Sequence, residues 1–293
     1  MKKFNLDFQR SHKAVTIFYR AGSDGAHAMA SRVSEWLVTK KNLRVHSVSD
    51  NKRLPGASPI SKRDWARVGL VLVFGGDGTY LRAVAGVGAL PIPILGFNMG
   101  SLGFLTAHQA EECFDLVDRC LKGELFIERR AMLAAELKSN GRSHTFHSLN
   151  DFVIERGSFS QLINTQISCN GQLVNSIKAD GFIVSTPSGS TAYNLAAGGP
   201  ILHPAVVGLI VTPISPHSLT SRPIVFPESV RLKFRLEGSR QKAHFVVDGQ
   251  KALSLDSRSE IQIQVSKIKH LTLRTKEDDF FHLLREKLKF GNR

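Results

Sequence analysis

The chain has 293 residues, 42% of them hydrophobic, and a formal net charge of +14; it can bury a sizeable core, and its length predicts two domains. The longest apolar stretches, residues 89–97 and 205–214, are short or broken by proline, which excludes a membrane-spanning helix of ~18 residues. The charge could steer any polyanion, from nucleic acid to a small substrate carrying several phosphates, but the basic residues are spread along the chain without zinc-finger spacing or an aromatic RNA-binding signature. Most of them read as solvated surface, and no nucleic-acid partner is expected.

Residues 1–10 carry Lys2 and Lys3 but no following apolar core and cleavage site, which predicts a cytoplasmic protein. Ala14–Tyr19 reads as a first strand, residues 27–38 as a helix with Met29, Val33, Trp36 and Leu37 on one face, and Val45–Val48 as a second strand. Residues 69–74 form a continuous apolar run, as in a strand buried on both faces, and lead directly into Gly75-Gly76-Asp77-Gly78-Thr79. A helix over residues 80–86, a strand over 92–96 and a helix over 111–122 stopped at Gly123 complete an alternation typical of a parallel sheet with crossover helices. Cys113, Cys120 and Cys169 are an odd number without metal-type pairing, so reduced structural thiols are expected.

After Gly123 a period of two replaces helical spacing. Asn140-Gly141, Asn170-Gly171 and Asp248-Gly249 sit between strand-like runs and suit tight hairpins. Arg231–Leu236 alternates charged and apolar residues, Ile261, Ile263 and Val265 repeat the pattern, and the second domain is expected to be mostly β. Residues 278–290 form an amphipathic helix pattern with Phe281, Leu284 and Leu288 on its apolar side. His144, His147 and His203 show no metal-ligand spacing, so no resident metal is expected.

The loop Gly75, Gly76, Asp77, Gly78, Thr79 falls where open parallel sheets bind ligands, after a strand's carboxyl end and before a helix. Its glycines let backbone N–H groups approach phosphate oxygens, and the helix start adds partial positive charge. A carboxylate in a phosphate cradle repels its ligand unless it binds a metal or handles a proton, so Asp77 fits a base that accepts a hydroxyl proton during phosphoryl transfer. The same pentapeptide also suits a tight turn in which Asp77 caps the next helix through the Thr79 N–H, and these five residues leave both readings open.

A strand ending in Gly-Gly-Asp-Gly-Thr resembles the superfamily of NAD kinases, diacylglycerol-type lipid kinases and, more distantly, phosphofructokinases. Further motifs separate them: Asn150-Asp151, Asp180-Gly181, Ser185-Thr186-Pro187-Ser188-Gly189-Ser190-Thr191-Ala192-Tyr193 and Ala197-Gly198-Gly199-Pro200-Ile201. With Leu102-Gly103-Phe104-Leu105, Pro216-His217-Ser218-Leu219, Arg222-Pro223 and Asp248-Gly249-Gln250, they resemble the NAD kinase family.

This resemblance implies a loop-bearing α/β domain with a parallel sheet, like that of phosphofructokinases and diacylglycerol kinases, over residues 1–124. It further implies an all-β dinucleotide-binding domain over 125–275, and a helix over 276–293 that packs back on the first domain. The implied activity is transfer of the γ-phosphoryl of ATP, or of another donor, to the adenosine-ribose 2′-hydroxyl of NAD, giving NADP. A lipid or other small-alcohol kinase is the alternative. Magnesium would arrive with ATP, and the protein would be a homo-oligomer, a dimer or tetramer.

Carried over by residue, Asp77 would be the base with Gly78 beside it, and Gly75, Gly76, Gly78 and Thr79 the phosphate loop. Asn150 and Asp151 would hold the adenosine part, an amide that donates and accepts beside a carboxylate that accepts. Thr191, Ala192, Tyr193, Asn194, Leu195 and Ala196 would run along the dinucleotide. Gln161, Lys178, Asp180 and Gln250 would supply further contacts.

Overall fold

The computed structural model describes residues 2–5, 13–48, 52–139, 141–157, 161–238 and 241–289. It falls into two compact units, one of Met1–Arg129 with His270–Arg293 and one of Arg130–Lys269.

The first unit begins with β1 (Ala14–Tyr19), α1 (Asp24–Thr39), β2 (Val45–Val48), β3 (Val68–Phe74), α2 (Asp77–Val87), β4 (Ile94–Asn98) and α3 (Cys113–Leu121). The strands are parallel and ordered β2-β1-β3-β4, with the short Ser58–Pro59 strand beyond β2. Every residue of β1 and β3 is buried, the result expected when helices cover both faces of a parallel sheet. Helix α1 buries Ala26, Ala30, Val33 and Leu37, and starts three residues before the expected position because Ser23 caps it, its Oγ accepting from Ala26 N at 3.3 Å. Strand β4 starts two residues later than expected, after Pro91 and Pro93, which cannot donate to a ladder. Gly123 follows α3 at φ +74°, a left-handed stop for which glycine is suited. The Cys113 and Cys120 thiols are buried in this unit, and burial pushes Cys113 up to about 11.

The second unit takes over within β5 (Phe126–Ser139) and continues with β6 (Arg142–Ser148), β7 (Asp151–Arg156), β8 (Ile163–Cys169), β9 (Gln172–Ala179), β10 (Gly181–Ser185), α4 (Tyr193–Ala196), β11 (Gly208–Ile214), β12 (Ile224–Pro227), β13 (Arg231–Leu236), β14 (Lys242–Val247), β15 (Lys251–Asp256) and β16 (Glu260–Arg274). Six strands form one antiparallel sheet in the order β12-β11-β10-β7-β14-β15. Strands β9, β8, β13 and β16 pair antiparallel in a second layer. Alternating inward residues from both layers, among them Phe152, Phe182, Phe234, Phe245 and Ile263, make one core. The hairpin turns at Asn170-Gly171 and Asp248-Gly249 lie where the dipeptides predict them, with φ of +50° and +87°, and of +48° and +66°. Asn140, of the third such dipeptide, lies outside the described residues.

The end of β16 belongs to the first unit, where Thr272 stands opposite Ile94 of β4. Helix α5 (Phe280–Leu288) follows, capped by Asp279, whose carboxylate accepts from Phe281 N. Its buried residues are Leu283 and Leu284, while Phe281 is 56% exposed and Leu288 only partly covered; Phe290 lies outside the described residues. Lys287 Nζ donates to the Leu102 carbonyl, and Asp278 lies between Arg274 and His108, 3.7 and 3.4 Å away. No helix among the described residues is long and apolar enough to cross a membrane.

Candidate active site

Two groups of side chains, one in each unit, contain the motif residues. In the first unit the chain leaves β1 toward β2 on one side and resumes at β3 on the other. The loops after β1 and β3 therefore diverge, at the switch point where such sheets bind ligands. Gly75 and Gly76 occupy the β3 loop. Gly76 is the N-cap of α2, so Asp77, Gly78 and Thr79 form the helix's first turn rather than a loop preceding it.

The Asp77 carboxylate does not cap its own helix. Its Oδ1 accepts from Leu105 N at 3.0 Å, Thr106 N at 3.2 Å and Thr106 Oγ1 at 3.2 Å, while Oδ2 accepts only from Phe104 N at 2.9 Å. Asp77 thus fastens the 104–106 segment to the start of α2. The three-donor oxygen is saturated, and the single-donor Oδ2 retains acceptor capacity for another hydroxyl.

The glycines divide by role. A Cβ at Gly75 would lie 2.6 Å from Thr79 Oγ1, and one at Gly103 would lie 2.1 Å from Asp77 Oδ1, so both are glycine because the protein itself fills the space. Among the described residues, a Cβ at Gly76 or Gly78 would meet nothing within 4 Å beyond its chain neighbours and its own helix backbone. Packing among the described residues does not account for these two glycines, and their bare backbone leaves room for close approach of another group.

In the second unit Asn150 and Asp151 stand at the start of β7, 8% and 5% exposed. The backbone of Asn150 is held on both sides. Its N–H donates to Asp248 Oδ1 at 2.8 Å, its carbonyl accepts from Thr186 N at 2.8 Å, and Gly189 packs so closely that a Cβ there would be 2.2 Å from that carbonyl oxygen. Inside this grip the Asn150 Oδ1 is buried without a hydrogen-bond partner among the described residues. A buried amide oxygen left unpaired costs about 1–3 kcal/mol, a cost that a donor from a water or a ligand would offset. Burial, and then the neighbouring charge of Asp248, push the Asp151 carboxyl up to about 7.

Asp180 and Tyr193 line a cleft of about 460 Å³ with Glu155, Arg156, Ile214 and His244. Arg156 Nε lies 3.2 Å from Asp180 Oδ1, and Tyr193 is 44% exposed. Burial, followed by the charges of Glu155, Asp151 and Asp180, raises the Tyr193 phenol above its ordinary value. Asn194 is fully buried: its amide donates to the Ser190 and Pro200 carbonyls and accepts from Thr212 Oγ1 at 2.6 Å, so its polar atoms bind the 190–200 segment to itself and to β11. Thr191 and Ala192 are half-buried beside it, Leu195 likewise, and Ala196 is exposed. Gln161, Lys178 and Gln250 are exposed and do not line that cleft. A larger groove of about 620 Å³ lies on the face of β8, β13 and β16, lined by Arg231, Lys233 and Arg235, and contains none of the motif residues.

Residues 15–125 match the ATP-NAD kinase N-terminal domain and residues 149–275 the ATP-NAD kinase C-terminal domain. The chain is 48% identical to the NAD kinase of Bdellovibrio bacteriovorus across the full length of both. The chain belongs to the NAD kinase family. The NAD kinase of Citrifermentans bemidjiense is 38% identical, covering 96% of this chain and all of that one. Among solved structures, a yeast NADH kinase complexed with NADH superposes with a TM-score of 0.88 at 26% identity, covering 96% of this chain and 89% of that one. An NAD kinase from Archaeoglobus fulgidus in complex with ATP gives 0.73 at 26% identity, covering 93% and 98%. The α/β first unit and the mostly β second unit are the architecture that the NAD kinase family predicts.

Two sets of contacts in this NAD kinase-family chain escape a reading of motifs. Thr106 and the N–H groups of 104–106 hold Asp77, and the Asp248 carboxylate holds residues 148–151. Most of the donors are backbone groups, which carry no residue signature. The available signals were Gly103, whose missing side chain makes room for Asp77, and an aspartate in the first place of the Asp248-Gly249 turn.

Proposed function

We propose that this protein is an NAD kinase, transferring the γ-phosphoryl group of ATP to the 2′-hydroxyl of the adenosine ribose of NAD. The observation that carries the reading is the full-length identity to a curated NAD kinase, and the unpartnered Asn150 amide supports its placement on residues. A lipid or other small-alcohol kinase is not favoured, since the whole chain, and not the glycine loop alone, follows the NAD kinases.

In this reading Asn150 and Asp151 hold the adenosine part. Thr191, Ala192, Tyr193, Asn194, Leu195 and Ala196 supply the surface along the dinucleotide, Asn194 by fixing that segment. Lys178, Asp180, Gln161 and Gln250 add outer contacts. The Oδ2 of Asp77 takes the proton of the 2′-hydroxyl as its oxygen bonds to the γ-phosphorus; the bond from that phosphorus to the bridging oxygen breaks, and ADP leaves with the electron pair. Gly75, Gly76, Gly78 and Thr79 present the start of α2 to phosphate oxygens. Mg²⁺ enters as part of the substrate, bound to the donor's phosphates.

The reading divides the chain into a loop-bearing domain over 1–124, a dinucleotide-binding domain over 125–275 and a terminal helix over 276–293. A homo-oligomer, dimer or tetramer, in the cytoplasm completes it. In support of assembly, Ile224 and Val225 on the edge strand β12 are exposed near Leu219, 91% exposed, in the preceding loop.

The test is NADP formation by the purified protein, with ATP against polyphosphate as donor and NAD against NADH as acceptor. Phosphorylation of diacylglycerol with no NADP formed would overturn the assignment. Asn150→Ala should chiefly raise KM for NAD, because it removes an anchoring contact rather than the proton acceptor.

A further inference from the structure

The carbonyls of the turn that presents Asn150 and Asp151 accept from Thr186 and Ser148, while its N–H groups are gathered by a residue almost a hundred positions away. Asp248 Oδ1 accepts from Ser148 Oγ at 2.6 Å, Asn150 N at 2.8 Å and Asp151 N at 3.1 Å, and Oδ2 accepts from Leu149 N at 3.0 Å. One carboxylate thus gathers four successive residues into a nest of donors. The Asp248 N–H donates back to the Asp151 carbonyl at 3.1 Å, which closes the loop onto the β14–β15 hairpin.

The hairpin alone does not require this residue. Asp248 and Gly249 both have positive φ, a conformation that asparagine or glycine adopts as readily. Stability does not favour it either, because the arrangement buries one carboxylate beside another. Burial pushes Asp248 up, the four hydrogen bonds oppose it, and Asp151 next to it is raised as well. Buried neighbouring carboxyls whose ionisation is opposed in this way are characteristic of a site arranged for binding or chemistry.

We propose that Asp248 is a positioning residue for the dinucleotide: by fixing the backbone of residues 148–151 it holds the Asn150 amide in its binding orientation and sets Asp151 beside it. Asp248 acts through Asn150 and Asp151 and need not touch NAD. This inference rests on the assignment of NAD to the Asn150-Asp151 turn.

Asp248→Asn is the discriminating variant, since asparagine keeps the turn's conformational preference. Its amide can place oxygen at the three-donor site, which leaves an NH2 against the Leu149 N–H. NAD binding measured by calorimetry should weaken about tenfold, the equivalent of one lost charge-assisted hydrogen bond. KM for NAD should rise in parallel, while kcat stays within about threefold and KM for ATP within about twofold. In an Asn150→Ala background the same change should weaken NAD binding less than it does in the parent, because of the two residues through which it acts only Asp151 remains.

Ser148→Ala, a milder change at a fully buried residue, should raise KM for NAD about threefold and covers the case in which Asp248→Asn does not fold. A folded Asp248→Asn protein that binds NAD as tightly as the parent, or losses that multiply independently in the double variant, would overturn the proposal. If the unaltered protein neither binds NAD nor forms NADP, the functional assignment itself fails and this inference with it.

Discussion

Replacing Asp77 by asparagine separates its two roles, as a proton acceptor and as a fastener. The carboxylate accepts three donors on Oδ1 and one on Oδ2. An asparagine keeps most of these by turning its oxygen to the three-donor side. Its NH2 then faces the Phe104 N–H and occupies the position from which Oδ2 would meet a substrate hydroxyl. The structural cost is one charge-assisted bond replaced by two opposed donors, about 1.5–3 kcal/mol. The chemical cost is the whole general-base contribution, about 10²-fold to 10⁴-fold in turnover, or roughly 3–5 kcal/mol of barrier. Initial rates of NADP formation at saturating NAD and ATP measure the second, and thermal unfolding of the same sample measures the first. Turnover within about threefold of the parent would remove Asp77 from the chemistry and leave it only its hold on residues 104–106.

Gly103→Ala puts a Cβ 2.1 Å from Asp77 Oδ1 and 2.4 Å from Thr106 Oγ1; it should destabilise the fold by about 1–3 kcal/mol and lower turnover with the carboxylate still present, and an unchanged melting temperature would contradict the packing. Gly78→Ala should do the reverse. Among the described residues its Cβ meets nothing within 4 Å beyond its chain neighbours and its own helix backbone, and alanine in a helical turn gains up to ~1 kcal/mol over glycine, so melting should hold or rise while KM for NAD or ATP increases about tenfold or more; unchanged KM for both would take Gly78 out of the contact surface. In pH titrations of stability, the folded chain keeps on Asp151, raised to about 7, a proton that the unfolded chain releases near 3.8. Its contribution is therefore full below about 3.8 and falls as pH rises to about 7, and Asp151→Asn should flatten that slope. Glu260 and Asp278 act with the opposite sign. Burial opposes their ionisation, but hydrogen bonds from Lys233 and Arg235 at Glu260, and the close approach of His108 with the charge of Arg274 at Asp278, hold each at about 2, so their contribution is lost as pH falls to about 2 from about 4.5 for Glu260 and about 3.8 for Asp278.

The β1 and β2 strands and the β13 alternation were legible because burial on two faces, or on one, writes a period directly into the residues. The glycine loop was legible as a strand-to-helix turn, because its glycines follow a continuous apolar run and precede the first helical residues. What its acid holds was not, since Asp77 and Asp248 are partnered mainly by N–H groups that every residue but proline possesses. The helical pattern at the C-terminal end was readable, yet its inward face was misjudged. Phe281 satisfies the helical spacing, but α5 rests on Leu283 and Leu284, a choice made by the neighbouring surface rather than by the helix.

Strand β4 obtains its outer neighbour from residues made long after it. Thr272 lies 178 positions beyond Ile94, the residue it faces. The Phe97–Asn98 end of that sheet margin is paired with His108–Gln109, but at ribosomal elongation of about 5–20 residues per second its Ile94 end would wait on the order of 10–35 s uncovered. Newly made chains should therefore depend on chaperones during this interval, and a truncation before residue 270 should aggregate through the uncovered Ile94 end of β4 rather than persist as a folded fragment.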